Sequence, residues 1–347
     1  MGPMGVLLMA ALTCSLVGCF LILRNMAMLA DALSHTILLG IVLMFLRVND
    51  LDSPLLQVGA ALFGMVTVNL IELLIKKFGL KSDEATGLVF PLFFAIGVII
   101  ISISLRNVHL CVDTVIMGEV LFTPLNTLSV LGYDFPVAFL QLFVVFVIAL
   151  IFVFVCYQQL KISTFDPQFA QSIGIHVAII HHIFMFLVSI TMVVSFNAVG
   201  SILVISLLVA APLSAYMISK QLRYMIPLAL LIACVDAVLG STVAEILNVS
   251  MSGMVAVESF LVFILIWIFN SNGFLGNILK RRSQQNIIIK KMLNKELEEG
   301  SINLRVLARQ FAIRESRLKK IVNNMIVQNE VEFISEKSLI VSKKIKN

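Results

Sequence analysis

The chain has 347 residues, of which 60% are hydrophobic, and its mean hydropathy is +1.04. Only 13% of its residues are charged, and its formal net charge at pH 7 is +5. This composition excludes a soluble globular protein and indicates a polytopic membrane protein.

Apolar runs of about 20 residues recur along the chain, each long enough to cross a hydrocarbon core of about 30 Å. Each span is expected to be an α-helix, because backbone N–H and C=O groups in lipid must be bonded within the segment. Nine spans are predicted, at residues 4–23, 26–46, 55–76, 86–105, 135–157, 177–196, 200–219, 225–246 and 253–270. The stretch 107–133 is mixed in polarity, and its pattern suits a loop or a re-entrant segment.

Asp31 and His35 are predicted to lie in the middle of the second span. A carboxylate in hydrocarbon costs about 2.5–3.5 kcal/mol on insertion scales unless it is paired or faces water. At a spacing of four residues the two side chains share one helix face, so an oxygen and an imidazole nitrogen could bind one divalent cation. The alternative is a hydrogen bond between Asp31 and His35 that orders a helix interface.

Basic residues predict the orientation of the spans. Most of them follow odd-numbered spans, at Lys76, Lys77, Lys81, Lys161, Lys220, Arg223 and Lys280–Arg282. Arg47 and Arg106 are the exceptions. We therefore expect a multi-pass protein of the plasma (inner) membrane, with its N-terminus outside and its C-terminus in the cytoplasm.

A short capped helix is predicted between the fifth and sixth spans. Asp166 suits an N-cap, Pro167 suits the first helical position, and Gly174 suits the left-handed residue that closes the helix. Phe169 and Ile173 would share one face of this helix. On the cytoplasmic side such an apolar face would contact a partner protein; the alternative is a helix lying on the bilayer surface.

Other ionisable residues also lie within the spans. Glu72 and Lys76 form an ordinary pair four residues apart, and the adjacent His181 and His182 point to different faces of their helix. Asp236 lies deep in the eighth span, and two interpretations are open for it, a functional group or a packing partner. Glu245 and Glu258 lie near outer span ends, where water can reach them.

The composition changes near residue 276, which predicts a transmembrane domain over 1–275 and a basic cytoplasmic domain over 276–347. The second part holds 16 of the 25 Lys and Arg residues and 7 of the 20 Asp and Glu residues, for formal charges of +9 there and −4 in the rest. Predicted elements follow a winged helix-turn-helix order: helices 284–298, 303–310 and 314–328, a turn at Ala312–Ile313, and strands near 331–334 and 339–343. Its predicted core comprises Val306, Leu307, Phe311, Leu318, Ile321, Val322 and Met325. We expect contact with protein or anionic lipid rather than sequence-specific DNA binding, because the domain is tethered at the membrane.

Four segments together resemble the membrane permease of ABC importers for manganese, zinc and iron. They are Met28-Leu-Ala-Asp31-Ala-Leu-Ser34-His35, Leu80-Lys-Ser-Asp83-Glu84-Ala-Thr-Gly87, Phe165-Asp166-Pro167-Gln-Phe169-Ala170-Gln-Ser-Ile173-Gly174, and Val199-Gly200-Ser-Ile-Leu through Ala211-Pro212. The basic C-terminal domain departs from the short C-terminus of that family, so the resemblance implies nothing about it.

The resemblance implies an all-α polytopic permease that pairs with a second permease chain, identical or not. It further implies a cytoplasmic ATP-binding subunit and an external metal-binding lipoprotein as partners. Asp31 and His35 would belong to the metal path, and the helix from Asp166 to Gly174, with Phe165, Phe169, Ala170 and Ile173, would couple to the ATPase. The divalent metal would be the transported substrate, with no permanently bound cofactor.

Taken together, the sequence predicts the permease subunit of an ATP-driven importer of a divalent transition metal, and not an enzyme. No G-x-x-x-x-G-K-[ST] stretch occurs, so ATP hydrolysis is expected in a separate subunit. Two other interpretations remain at this point: an ion-coupled secondary metal transporter, and a membrane-anchored regulator with a DNA-binding tail. The first is expected to show inverted repeats with broken helices, and no clear repeat is visible.

Overall fold

The computed structural model describes residues 3–50, 53–104, 127–130 and 133–270 of the membrane part. In the tail it describes residues 276, 284, 286, 288–293, 295, 302–303, 306–308, 315–327, 331–335 and 340–343. Most of the predicted loop or re-entrant segment 107–133, the basic residues Lys280–Arg282, Phe311 and the turn at Ala312–Ile313 lie outside the described residues. The chain divides into two compact units, Met1–Trp267 and Ile268–Asn347.

Nine helices in the described residues are long and apolar enough to cross a membrane, which confirms the predicted number. They are α1 (Pro3–Leu23), α2 (Ala27–Val48), α3 (Leu55–Phe78), α4 (Ser82–Ser104), α5 (Val137–Val155), α8 (Val177–Val199), α9 (Ser201–Ile218), α10 (Leu222–Leu247) and α11 (Met251–Phe269). Two short helices, α6 (Tyr157–Phe165) and α7 (Pro167–Ser172), lie between α5 and α8. Each long helix begins and ends within four residues of its predicted bounds.

A β-hairpin precedes α5 and shortens the fifth span. Strands β1 (Thr127–Val130) and β2 (Tyr133–Pro136) pair antiparallel, with Thr127 opposite Pro136. The prediction that residues 135 and 136 belong to the fifth span is therefore wrong. These residues pair with β1, and Pro136, which restricts the backbone, precedes the first residue of α5.

Helix α1 is the central helix of the membrane unit. It contacts α5, α8, α9 and α10. In its apolar 18-residue stretch 72% is buried within the chain, whereas the buried share of the corresponding stretch of α11 is 11%. Helices α4, α5 and α11 instead expose large apolar side chains such as Phe154, Ile103 and Phe269. An apolar surface of this kind is stable against lipid, so the outer helices are suited to face the bilayer.

Small residues allow the central helices to approach closely. A Cβ added at Gly18 of α1 would lie 2.1 Å from the carbonyl oxygen of Leu208 in α9, and one added at Gly64 would lie 2.1 Å from the Ser189 hydroxyl in α8. Helices in lipid gain little from hydrophobic burial against one another, so van der Waals contact at such positions stabilises their packing.

The second unit contains a small three-stranded sheet in the order β3-β5-β4, formed by Ile302–Asn303, Ile340–Lys343 and Val331–Ser335. Helix α12 (Glu315–Val327) precedes β4. The buried side chains of its apolar core are Ile289, Leu293, Leu307, Ala308, Leu318, Ile321, Val322, Met325 and Val341. All pairings in this sheet are antiparallel.

Two predictions for this unit are wrong. Val306 was predicted in the core but is 62% exposed. Residue 303 was predicted to begin a helix, but Asn303 lies in β3, where it pairs with Ile340 of β5. The pairing partner is distant in sequence, so local propensity did not indicate it.

Candidate functional site

Asp31 and His35 lie on one face of α2, as their spacing predicts. Asp31 is four residues from the first residue of α2, so the pair lies in the first half of the helix. The sequence predicts a position in the middle of the span, which differs from this. Helix α2 is otherwise largely buried against α3 and α4, whereas the Asp31 and His35 side chains are 46% and 38% exposed in the single chain. The polar pair therefore remains accessible on a helix that is mostly covered.

The distance between Asp31 Oδ1 and His35 Nε2 is 3.9 Å. This separation is too long for a hydrogen bond, so the described geometry lacks the Asp–His hydrogen bond that was the alternative interpretation. Two ligand atoms that each lie about 2.0–2.2 Å from one divalent cation are at most about 4.4 Å apart. The pair can therefore contribute two donors to one cation.

Aromatic side chains of α4 hold the His35 ring. Its centroid lies 5.6 Å from that of Phe90 and 5.5 Å from that of Phe94. Within the described residues, no group of three or more His, Cys, Asp or Glu side chains could hold a metal ion. Further donors to a cation at Asp31 and His35 would be waters, other oxygen atoms or groups from another chain.

The predicted capped helix forms α7. The Asp166 carboxylate accepts a hydrogen bond from the backbone N–H of Phe169, at 2.9 Å. Pro167 is the first helical residue, and Gly174 has a φ of +83°, a conformation that favours glycine. The backbone N–H of Ile175 donates to the Ala170 carbonyl at 3.0 Å and closes the end of the helix.

An apolar face projects from α7 and its flanks. Phe165, Phe169 and Ile173 are each at least half exposed, while Ala170 is fully buried. The helix is thus fixed on one side and presents large apolar side chains on the other. Such an exposed surface marks a contact site for protein or lipid.

Glu72 lies in a polar cluster that sequence reasoning only partly identified. The Lys76 ammonium lies 2.9 Å from one Glu72 oxygen, as the spacing predicts. The other Glu72 oxygen contacts His181 Nε2 on α8, 109 residues away in sequence. His181 and His182 have different surroundings, and the buried Nδ1 atom of His182 has no hydrogen-bond partner in the described part of the chain.

Asp236 is fully buried in α10. Neither of its carboxylate oxygens has a hydrogen-bond partner among the described residues. An unpaired carboxylate in this position is costly in its charged form.

Comparison with known sequences covers almost the whole membrane unit. The sequence profile described as the ABC 3 transport family matches residues 4–270. The manganese transport system membrane protein MntD of Bacillus subtilis (strain 168) is 43% identical over 279 residues, which cover 80% of this chain and 94% of that protein. The zinc transport system membrane protein TroD of Treponema pallidum (strain Nichols) is 36% identical over 260 residues, which cover 75% of this chain and 71% of that protein.

Comparison with solved structures supports the fold. A chain of the structure "PsaBC from Streptococcus pneumoniae in complex with Fab" superposes with a TM-score of 0.65 at 24% sequence identity. The superposition covers 78% of this chain and 91% of that chain. The arrangement of helices is therefore shared.

Proposed function

The chain belongs to the ABC 3 transport family, and from this we infer that it is the membrane permease subunit of an ATP-driven importer of a divalent transition metal. The observation that carries the proposal is the match over residues 4–270, which includes all nine spans. Relatives named for manganese and zinc transport support the substrate class. Asp and His side chains bind manganese, iron and zinc alike, so the proposal covers these three metals.

We propose that Asp31 and His35 bind the metal in transit. Their side chains remain accessible in the single chain, and their separation of 3.9 Å suits two donors to one cation. Two donors are too few for a transition metal, which takes four to six. Waters or the equivalent pair of a second permease chain would complete the coordination.

We propose that α7 docks on a cytoplasmic ATP-binding subunit. Its end caps fix its backbone, and Ala170 on its other side is fully buried. The exposed face formed by Phe165, Phe169 and Ile173 has the size and apolarity of an anchor in a protein interface. The basic residues near this end of the bundle support a cytoplasmic position, with the N-terminus outside and the C-terminus inside.

The remaining partners follow from family membership. An importer of this kind needs a second permease chain and an external metal-binding lipoprotein, and the chain itself would act as a transport subunit without enzymatic activity. Family membership does not favour an ion-coupled secondary transporter or a membrane-anchored DNA-binding regulator.

The C-terminal unit is proposed to be a winged-helix-like domain that regulates transport. The strand order β3-β5-β4 and helix α12 ahead of the β4–β5 hairpin support this fold. Exposed Lys319, Lys320 and Asn323 on α12 would contact protein or anionic headgroups.

Reconstitution tests the proposed function. The chain would be purified with its ATP-binding subunit, placed in proteoliposomes, and assayed for uptake of Mn²⁺ and Zn²⁺ with ATP and with a non-hydrolysable analogue. Uptake that requires ATP hydrolysis is expected. Uptake by this chain alone, driven by a proton gradient without ATP, would contradict the proposal and favour a secondary transporter.

A further inference from the structure

One partly buried arginine connects several elements at a single end of the helix bundle. Arg24 lies in the short connection between α1 and α2, beside Asn25, whose φ is +56°. Its guanidinium donates to the Thr164 hydroxyl at 3.2 Å and to the Ser163 hydroxyl at 3.4 Å, both at the end of α6. A third contact joins Arg24 Nη1 to His181 Nδ1 of α8, at 2.8 Å.

These contacts determine the hydrogen position on His181. An arginine can only donate, so His181 Nδ1 must be the bare, accepting nitrogen. The ring hydrogen then lies on Nε2, which faces the Glu72 carboxylate of α3. A neutral His181 thus accepts a hydrogen bond from Arg24 and donates one to Glu72, so its ring bridges the guanidinium and the carboxylate.

The surroundings of Arg24 fix the position of its guanidinium and favour its charged form. Its guanidinium lies 4.8 Å from the ring centroid of the buried Phe184, a distance at which a cation and an aromatic face attract. Burial lowers the pKa of Arg24 to about 10, an effect that the Glu72 carboxylate opposes. Arg24 therefore stays cationic at neutral pH. Its planar fork reaches three side chains in fixed directions from three separate nitrogens, whereas a lysine carries all its donors on one nitrogen.

The position of Arg24 in the chain connects the proposed docking helix with the helix that carries Asp31 and His35. Ser163 and Thr164 immediately precede Phe165 and α7, the proposed docking helix. On the other side, Arg24 is only three residues before the start of α2, the helix that carries Asp31 and His35. The same guanidinium therefore bridges the segment that would contact the ATPase and the helix that would contact the metal.

From this geometry we propose that Arg24 is a positioning residue that couples movement of α6 and α7 to α2. The inference rests on the proposed function. Displacement of α7 by the ATPase moves Ser163 and Thr164. The Arg24 guanidinium, which is bonded to both, carries that displacement to the start of α2. His181 and Glu72 hold the guanidinium in place against α8 and α3.

The test uses the reconstituted complex with its ATP-binding subunit, and it measures Mn²⁺ uptake and ATP hydrolysis in the same proteoliposomes. Arg24→Lys keeps the charge but loses the fork. We expect the complex to assemble and hydrolyse ATP while the number of Mn²⁺ ions transported per ATP falls by about threefold to tenfold. Lys77→Ala, an exposed residue of the same end that lies outside these contacts, should leave the ratio unchanged.

Substitutions of His181 separate bridging from packing. His181→Gln retains one acceptor and one donor and should largely preserve the transport ratio, whereas His181→Phe retains an aromatic ring without either group and should lower it as Arg24→Lys does. A purely structural contact would lower the amount of assembled complex but leave the ratio intact in the fraction that assembles.

The outcomes distinguish this inference from the function on which it rests. A coupled parent complex with unchanged ratios in Arg24→Lys and His181→Phe would overturn the coupling role alone. Equal losses in His181→Gln and His181→Phe would likewise contradict the bridging argument. A parent complex without ATP-dependent uptake would overturn both this inference and the proposed function.

Discussion

At the scale of single residues, the chain places costly polar groups where its helices are otherwise apolar. Asp31 and His35 stay accessible on α2, Glu72 is held by Lys76 and His181, and Asp236 is buried without a hydrogen-bond partner in the described residues. Exposure lowers the cost of polarity for Asp31 and His35, and pairing lowers it for Glu72. Of these three arrangements, the Asp31 and His35 pair is the one whose polar atoms are accessible on the surface of the single chain.

We predict that Asp31→Ala and His35→Ala each reduce metal uptake by at least about tenfold, because each removes one of few donors to the cation. Uptake of Mn²⁺ into proteoliposomes measures the effect, and size-exclusion chromatography checks that the complex assembles. Leu43→Ala, which truncates an exposed residue of the same helix, is the matched control. Unchanged uptake kinetics in both variants would remove the pair from the metal path.

At the scale of elements, α7 illustrates how a very short helix is made rigid. A helix of six residues has too few internal hydrogen bonds to be stable alone. The Asp166 cap, Pro167 at the first position and Gly174 after the last turn provide what the helix lacks. This rigidity would allow a docking helix to transmit force rather than absorb it.

Phe169→Ala should weaken binding of the ATP-binding subunit by about 2 kcal/mol, the size expected for an aromatic anchor of an interface. Co-purification and titration of the ATPase onto the permease measure this loss. Phe154→Ala is a matched control, because Phe154 is 84% exposed on α5 and lies outside the apolar face of α7 and its flanks. Cross-links from residues 163–175 that never reach an ATPase subunit would contradict the docking role.

The packing of α1 against α9 provides a second test at this scale. Gly18→Ala should destabilise the protein by about 1–3 kcal/mol, because the new methyl group meets the backbone carbonyl of Leu208, which cannot rotate away. Thermal unfolding in detergent measures the change. Gly87→Ala in α4 is the control, since its new Cβ would meet nothing within 4 Å. Equal stability of the two variants would show that α1 and α9 separate easily.

At the scale of the whole molecule, two units of different character share one chain. The membrane unit carries the family match, which ends at residue 270, while the basic tail lies beyond it. The tail has its own small apolar core around Leu318, Val322 and Val341. The family match therefore says nothing about its role, which needs its own experiments.

Deletion of residues 284–347 should leave the complex assembled but change the rate of metal uptake or its dependence on metal concentration. Uptake across a range of Mn²⁺ concentrations measures this. Identical kinetics with and without the tail would contradict a regulatory role.

The full chain should bind duplex DNA only weakly, with a steep salt dependence and no sequence preference, because the attraction would come from charge alone. Binding to a panel of duplexes at two salt concentrations, with the tail-deleted chain as control, measures this. Tight binding to one sequence at physiological salt would favour a membrane-anchored regulator.

The sequence by itself determined the nine spans, the pairing of Asp31 with His35 on one helix face and the caps of α7. These features depend on local rules: hydropathy over about 20 residues, a helical repeat of 3.6 residues, and the conformations that Asp, Pro and Gly favour. The same rules failed for residues 135–136 and for Asn303, where strand partners in the rest of the chain decide the structure.

Only the tertiary structure decided which side chains meet across helices. Arg24, Glu72 and His181 lie far apart in sequence, and no periodicity connects them. Their contact follows from how α3, α6 and α8 pack around the connection after α1 at one end of the bundle. The burial of Asp236 in α10 without a hydrogen-bond partner among the described residues likewise depends on helix packing. Local sequence patterns determine where each helix begins and ends, whereas close packing at small residues such as Gly18 and Gly64 determines which helices touch.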